Sequence, residues 1–190
     1  MKISFRDIKN KKLLILGEVA SGKTQLLIEL LQDTLQYADK ITLLDFAPSV
    51  KFVKGMKIGG RVNERIEMPS NVDYLCPERV ETPRLTAAET NSAKQLLRLA
   101  HTNAKNMSLK INEFLKAPTN IVFINDISLL FQVGNIEPVE KLLEIVNTAV
   151  ITGYYGKKLE EDLGTGVSKK ERTLMQKLSR QVDLVINLNQ

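Results

Sequence analysis

The stretch Gly17-Glu18-Val19-Ala20-Ser21-Gly22-Lys23-Thr24 has the residue types and spacing to hold a chain of phosphates. Glycines at its first and sixth positions let the backbone turn tightly and aim successive N–H groups at anionic oxygens. Lys23 supplies a point charge that can reach the terminal phosphates of a nucleotide. The Thr24 hydroxyl suits a ligand of Mg²⁺, and Gln25 completes the contact set at the head of the following helix. The chemistry implied is nucleotide binding, with Gly17, Glu18, Val19, Ala20, Ser21, Gly22, Lys23, Thr24 and Gln25 as the nucleotide-binding residues.

Such a loop works only between a strand that delivers it and a helix whose positive end faces the anion. Both neighbours are legible. Leu13-Leu14-Ile15-Leu16 is short and apolar enough for a buried strand. After the loop, Leu27, Leu30, Leu31 and Leu35 recur at helical spacing over residues 25–37.

Metal-assisted phosphate chemistry also needs an acid at the end of a nearby apolar strand. Two candidates stand out. Ile121-Val122-Phe123-Ile124 is uniformly apolar and leads into Asn125-Asp126; Ile41-Thr42-Leu43-Leu44 leads into Asp45 and stops at Pro48. Asp126 is the favoured metal-side acid, with Thr24 its partner in the metal shell. If Asn125 occupies the metal position, Asp126 becomes the water-activating acid instead. Lys23, Asp126 and Asp45 are thus the catalytic candidates, and Thr24 and Asp126 the metal candidates.

The remaining elements alternate. Val72-Asp73-Tyr74-Leu75-Cys76, Ala149-Val150-Ile151-Thr152 and Asp183-Leu184-Val185-Ile186-Asn187-Leu188 read as further strands. Pro138 opens a helix carrying Val139, Leu142, Leu143 and Val146, and Ser168 with Glu171 forms a capping box for a helix reaching Arg180. Short apolar strands alternating with helices predict a three-layer α/β/α fold with a mostly parallel sheet, in one domain of 190 residues. Residues 49–83 lack clear helices and read as an insertion, with a hairpin turn at Lys57-Ile58-Gly59-Gly60-Arg61-Val62. From a capping box at Thr86 and Glu89, one helix is expected to run to residue 116, about 45 Å at 1.5 Å per residue, unless broken near Lys105-Asn106. Its seam of Ala93, Leu97, Ala100, Ala104, Met107, Ile111 and Phe114 suits either the protein's own core or a homodimer. His101 beside it has no partner ligand and is expected at the surface.

Composition narrows the class. Hydrophobic residues make up 43% and charged residues 26%, ordinary for a globular protein. The single Cys76 fits a reducing, cytoplasmic compartment, and neither a secretory leader nor a membrane-length apolar run is legible. A net charge of +5 would tolerate an anionic partner, but the lysines are scattered, so nucleic acid is only weakly supported.

Together these residues resemble the P-loop NTPase superfamily, with Asp126 in the place of its second (Walker B) motif. Leu43-Leu44-Asp45-Phe46-Ala47-Pro48 is similar to the second-strand motif of the partition and septum-site ATPases, in which such an aspartate lies near the Mg²⁺ and the attacking water. Those proteins carry a lysine directly after the first glycine of the loop, whereas this chain has Glu18. The resemblance implies ATP and Mg²⁺ as cofactors; GTP is not excluded, though no guanine-selecting N-K-x-D run is found. Asn187-Leu188-Asn189-Gln190 lies at the strand end where a base would rest.

Three functions follow. One is a slow ATPase switch acting on an unknown protein partner through residues 49–82. Another is a kinase whose acceptor is held by Tyr154, Tyr155, Lys157 and Asp162. The third is a non-catalytic nucleotide-binding assembly protein. In each, Lys23→Ala is expected to abolish Mg-ATP affinity in a folded protein, measured by calorimetric titration; unchanged affinity would remove the reading of the loop.

Overall fold

The fold was analysed in a computed structural model that describes residues 3–53 and 56–189. Six parallel strands form the central layer: β1 (Lys12–Gly17), β2 (Ile41–Asp45), β5 (Val72–Leu75), β6 (Ile121–Asn125), β7 (Thr148–Tyr154) and β8 (Leu184–Asn187). Their order across the sheet is β5-β2-β6-β7-β1-β8. A separate antiparallel ribbon pairs β3 (Lys51–Val53) with β4 (Met56–Ile58).

The alternation of side chains along each strand builds the other two layers. Leu13, Ile15, Leu43, Phe123 and Val150 point to one face, where α1 (Phe5–Ile8) and α2 (Lys23–Thr34) cover them with Phe5, Leu27, Leu30 and Leu31. Leu14, Leu16, Leu44, Val122, Ile124 and Ile151 point to the other. That face is covered by α4 (Ala93–Lys116), α5 (Ser128–Phe131), α6 (Glu137–Ile145) and α7 (Val167–Ser179). The chain is therefore a three-layer α/β/α protein, as its pattern predicts. Strands buried on both faces are why the runs are continuously apolar.

Three expectations change. The helix expected over residues 86–116 is two helices, α3 (Pro83–Thr90) and α4, separated at Asn91, which takes a left-handed φ of 48°. Asparagine tolerates that conformation, so the break falls there and not at Lys105-Asn106. Thr86 lies inside α3, and the cap belongs to Ser92, whose Oγ accepts from the Gln95 N–H. The insertion at 49–83 is partly integral, because β5 within it extends the main sheet beside β2. Its antiparallel pair is the β3–β4 ribbon, which ends at Ile58; Gly59 and Gly60, expected in the hairpin turn, instead lead to a 3₁₀ turn, Val62–Glu64.

The α4 seam is spent inside the chain. Ala104, Met107, Ile111 and Phe114 pack into the core on that face of the sheet and Ala100 is buried, while Ala93 and Leu97 fall outside that core and Leu97 is 36% exposed. The expected homodimer through residues 86–116 thereby loses the free apolar face that argued for it. His101 is exposed, as its lone position implies. Met107→Ala or Ile111→Ala should cost about 2–5 kcal/mol in chemical denaturation, through lost burial and a residual cavity. Leu97→Asp should cost less than about 1 kcal/mol.

Candidate functional site

In a parallel sheet all C-terminal strand ends share one edge, where ligands of such folds collect. Gly17, Asp45, Asn125 and Tyr154 end their strands there, and a cavity of about 270 Å³ opens above them. Val19, Ala20, Ser21, Gly22, Lys23 and Thr24 form one wall; Asn125, Asp126 and Thr152 form the floor.

The loop turns into α2 at Gly22, whose φ of 95° suits a residue without Cβ. Among the described residues, the N–H groups of Gly22, Lys23 and Thr24 have no protein acceptor, which leaves the helix's positive end open to an anion. Lys23 Nζ folds back to donate to the carbonyls of Gly17 (3.0 Å) and Glu18 (2.6 Å). Burial lowers the Lys23 pKa, while Asp126 and Glu18 oppose that shift. Of the predicted binding residues, Gly17, Glu18 and Gln25 lie outside the cavity lining. The Gln25 amide donates to Glu29 along the helix surface.

Glu18, where the partition-type ATPases have lysine, anchors the loop after β7. Its Oε1 accepts from the N–H of Lys157 (2.5 Å) and Lys158 (3.2 Å), and a Cβ on Gly156 would collide with the carboxylate. Asn189 braces the same corner, its Oδ1 accepting from Glu18 N (2.6 Å) and its Nδ2 donating to Tyr155 O (2.6 Å). Asn189 is thus engaged with the backbone of the Gly17–Thr24 loop, on the strand end where a base was expected.

The two acids take different positions. β6 is not the neighbour of β1; β7 lies between them. Asn125 reaches across that gap, its Oδ1 accepting from Thr24 Oγ1 (3.2 Å) and Thr152 Oγ1 (3.1 Å). Asp126 lines the cavity in a left-handed turn (φ 61°), its backbone N–H held by Thr152 Oγ1 (2.9 Å) and its carboxylate accepting from Ser128 Oγ (2.6 Å). Burial raises its pKa despite Ser128, Lys23 and Arg84. Asp45 is fully buried and does not line the cavity. Its oxygens accept from Val62 N (2.7 Å), Asn125 Nδ2 (2.9 Å), Tyr74 Oη (3.0 Å) and Ala47 N (3.3 Å). Burial raises its pKa too, the four donors only partly offsetting this. Of the two arginines following Asp45, Arg65 lines the cavity; Arg61 is spent on the carbonyls of Ala47, Pro77 and Glu78.

Thr24, Asn125 and Asp126 present a hydroxyl, an amide carbonyl and a carboxylate. This all-oxygen set fits Mg²⁺, which binds through one or two protein groups and keeps several waters. The described residues hold no cluster of three or more His, Cys, Asp or Glu.

Sequence reasoning missed a second polar cluster behind the cavity. Arg84 on α3 donates to Glu171 Oε1 (3.1 Å) and Ser168 Oγ (3.2 Å), and Gln132 Nε2 donates to Glu171 Oε2 (2.9 Å). Arg84, Gln132 and Glu171 are all buried. Glu171 is therefore not the capping residue expected; α7 starts from Gly166, and the Ser168 N–H is held by Asp162 Oδ2 (3.0 Å). Pro83 at a first helical position was the available signal, since it sets Arg84 in the opening turn of a helix.

No protein-family model matches the chain, and no curated protein sequence matches it. Nor is any helix among the described residues long and apolar enough to cross a membrane.

Burial pushes the Glu171 carboxyl up to about 7, opposed by Arg84 and Gln132. The folded chain then keeps a proton that the unfolded chain releases above pH 4.5. Stability from this group is therefore present at low pH and lost as pH rises towards about 7. In urea denaturation, Glu171→Gln should gain on wild type across that window, by at most about 1.4 kcal/mol per pH unit. A difference that stays flat with pH would contradict the shift.

Proposed function

We propose that this protein binds Mg-ATP in the cavity above the sheet edge and hydrolyses it slowly, as a switch on a partner protein. The observation that carries the reading is the convergence of Lys23, Thr24, Asn125 and Asp126 on one cavity beneath an open helix N-terminus. In it, the loop amides and Lys23 hold the β- and γ-phosphates. Lys23 leaves the Gly17 and Glu18 carbonyls, which it holds in their place, for the phosphate oxygens. Thr24, with Asn125 beside it, would hold Mg²⁺, which neutralises charge on the phosphates when bound.

Asp126, at the ligand edge with a raised pKa, is the acid placed to take a proton from the attacking water. The water oxygen bonds the γ-phosphorus, the bond to the β-phosphate oxygen breaks, and ADP and phosphate leave. Asp45 acts through Asn125, whose amide it orients.

The switch reading has a structural route. Asn125 Nδ2 also donates to Gly60 O (3.3 Å), and Asp45 holds the Val62 N–H, so residues 59–65 hang from Asn125, which accepts from Thr24, and from Asp45 behind it. A metal or phosphate that shifts Asn125 would be felt in that segment. A second reading, phosphoryl transfer to an acceptor, is favoured by a neighbouring cavity of about 260 Å³ lined by Tyr155, Lys169 and Arg172 among others. ATP is preferred to GTP, and a reducing, cytoplasmic setting suits the lone Cys76, on sequence grounds alone.

A phosphate-release assay with and without candidate acceptors tests the reading. Asp126→Asn should lower turnover on the order of a hundredfold or more while nucleotide still binds. Asp45→Asn should lower it less and reduce stability more. The reverse order would exchange the roles of the two acids. Hydrogen exchange should slow in residues 59–65 when a non-hydrolysable triphosphate binds; equal exchange in both states would remove the switch.

A further inference from the structure

The cluster behind the cavity contains a cation that the mechanism leaves idle. Arg84 is buried, yet it lines the cavity together with Lys23, Thr24 and Asp126. Its guanidinium has five N–H donors. Nη1 donates one to Ser168 and Nη2 one to Glu171; among the described residues the others, including Nε–H, have no acceptor. The Tyr154 ring lies 5.2 Å from Cζ and steadies the plane.

The hold on Arg84 is also incomplete. Glu171 meets it through Oε1 alone, because Oε2 is occupied by Gln132. An ion pair with one hydrogen bond in a buried setting offsets little of the cost of removing both charges from water. A terminal phosphate carries more charge and more acceptors than that single carboxylate oxygen, and a planar fork binds it through paired hydrogen bonds.

We propose that Arg84 is the residue by which this site distinguishes a nucleoside triphosphate from a diphosphate. The unspent donors of its guanidinium bind the γ-phosphate; with a diphosphate, Arg84 remains on Glu171 and Ser168. Engagement of the phosphate loosens the contact between α3 and α7, since Ser168 and Glu171 both lie on α7. This rests on the nucleotide reading above and adds to it the choice of phosphate state.

Calorimetric titration of wild type, Arg84→Gln and Glu171→Gln with Mg-ADP and with a non-hydrolysable Mg-ATP analogue tests the assignment. Arg84→Gln should lose on the order of ten- to a hundredfold in affinity for the triphosphate while its affinity for ADP stays within about twofold. Glu171→Gln, which removes the negative charge that competes for the guanidinium, should bind the triphosphate at least as tightly as wild type. Because Arg84→Gln leaves a buried carboxylate without its cation, the double variant R84Q/E171Q carries the same expectation with both charges removed. Equal loss for the two nucleotides, no loss for either, or a tenfold fall for Glu171→Gln would overturn the proposal while leaving the phosphate loop as the binding site. A wild type that binds neither nucleotide would overturn both.

Discussion

The carboxamide of Asn125 is the hub on which the site depends. Its two N–H donors go to Asp45 and the Gly60 carbonyl, and its oxygen accepts from Thr24 and Thr152. Four separate parts of the chain, β2, the segment after β4, the head of α2 and β7, are thereby held to one planar group at the end of β6. An amide can make these bonds without a charge of its own. The buried charge sits one bond further back on Asp45, where four donors surround it. The edge facing Thr24 is thus polarised by a carboxylate that never reaches the cavity.

Charge elsewhere in the site is arranged so that no acid is left alone. Asp126 stands between Lys23 and Arg84, and Glu171 lies behind Arg84. Burial raises all three acids, Asp45, Asp126 and Glu171, and lowers Lys23. Each of these shifts disfavours the charged form and leaves the group sensitive to an arriving charge. An incoming phosphate chain would favour the ionised lysine and compete with the carboxylates for the two cations. Binding would then be a redistribution of existing partners: Lys23 leaves backbone carbonyls, and Arg84 leaves one carboxylate oxygen.

The sheet order explains why so many side chains are needed to span the site. With β7 between β1 and β6, an acid ending β6 stands two strand spacings from the loop that follows β1, roughly 10 Å. Thr152, at the end of the intervening strand, fills that distance by accepting from Asp126 N and donating to Asn125. The loop after β1 is also clamped through Glu18 to residues 157–158 and through Asn189 to Tyr155. The Gly17–Thr24 loop is therefore braced against β7 and the segment that follows it.

Local chemistry was enough to determine the turn at Gly22 into a helix, the strands and the α/β/α class, because each depends on short-range properties. Gly22 must turn with positive φ, Leu13-Leu14-Ile15-Leu16 must be buried on both faces, and Leu27, Leu30 and Leu31 must share a helix face. Local patterns misled where a competing partner was distant. Glu171 has capping spacing from Ser168, yet Arg84, 87 residues away, takes its carboxylate. The α4 seam suited either the core or a second chain, because the sequence does not reveal which face meets the sheet. Asp45 and Asp126 are equivalent as acids ending apolar runs; only the packing of Val62, Tyr74 and Asn125 encloses the first and leaves the second at the cavity. The order of strands decided the rest. It set β7 beside β1 and brought Thr152 and Arg84 to the site, contacts fixed by chain crossovers and burial that no spacing along the sequence encodes.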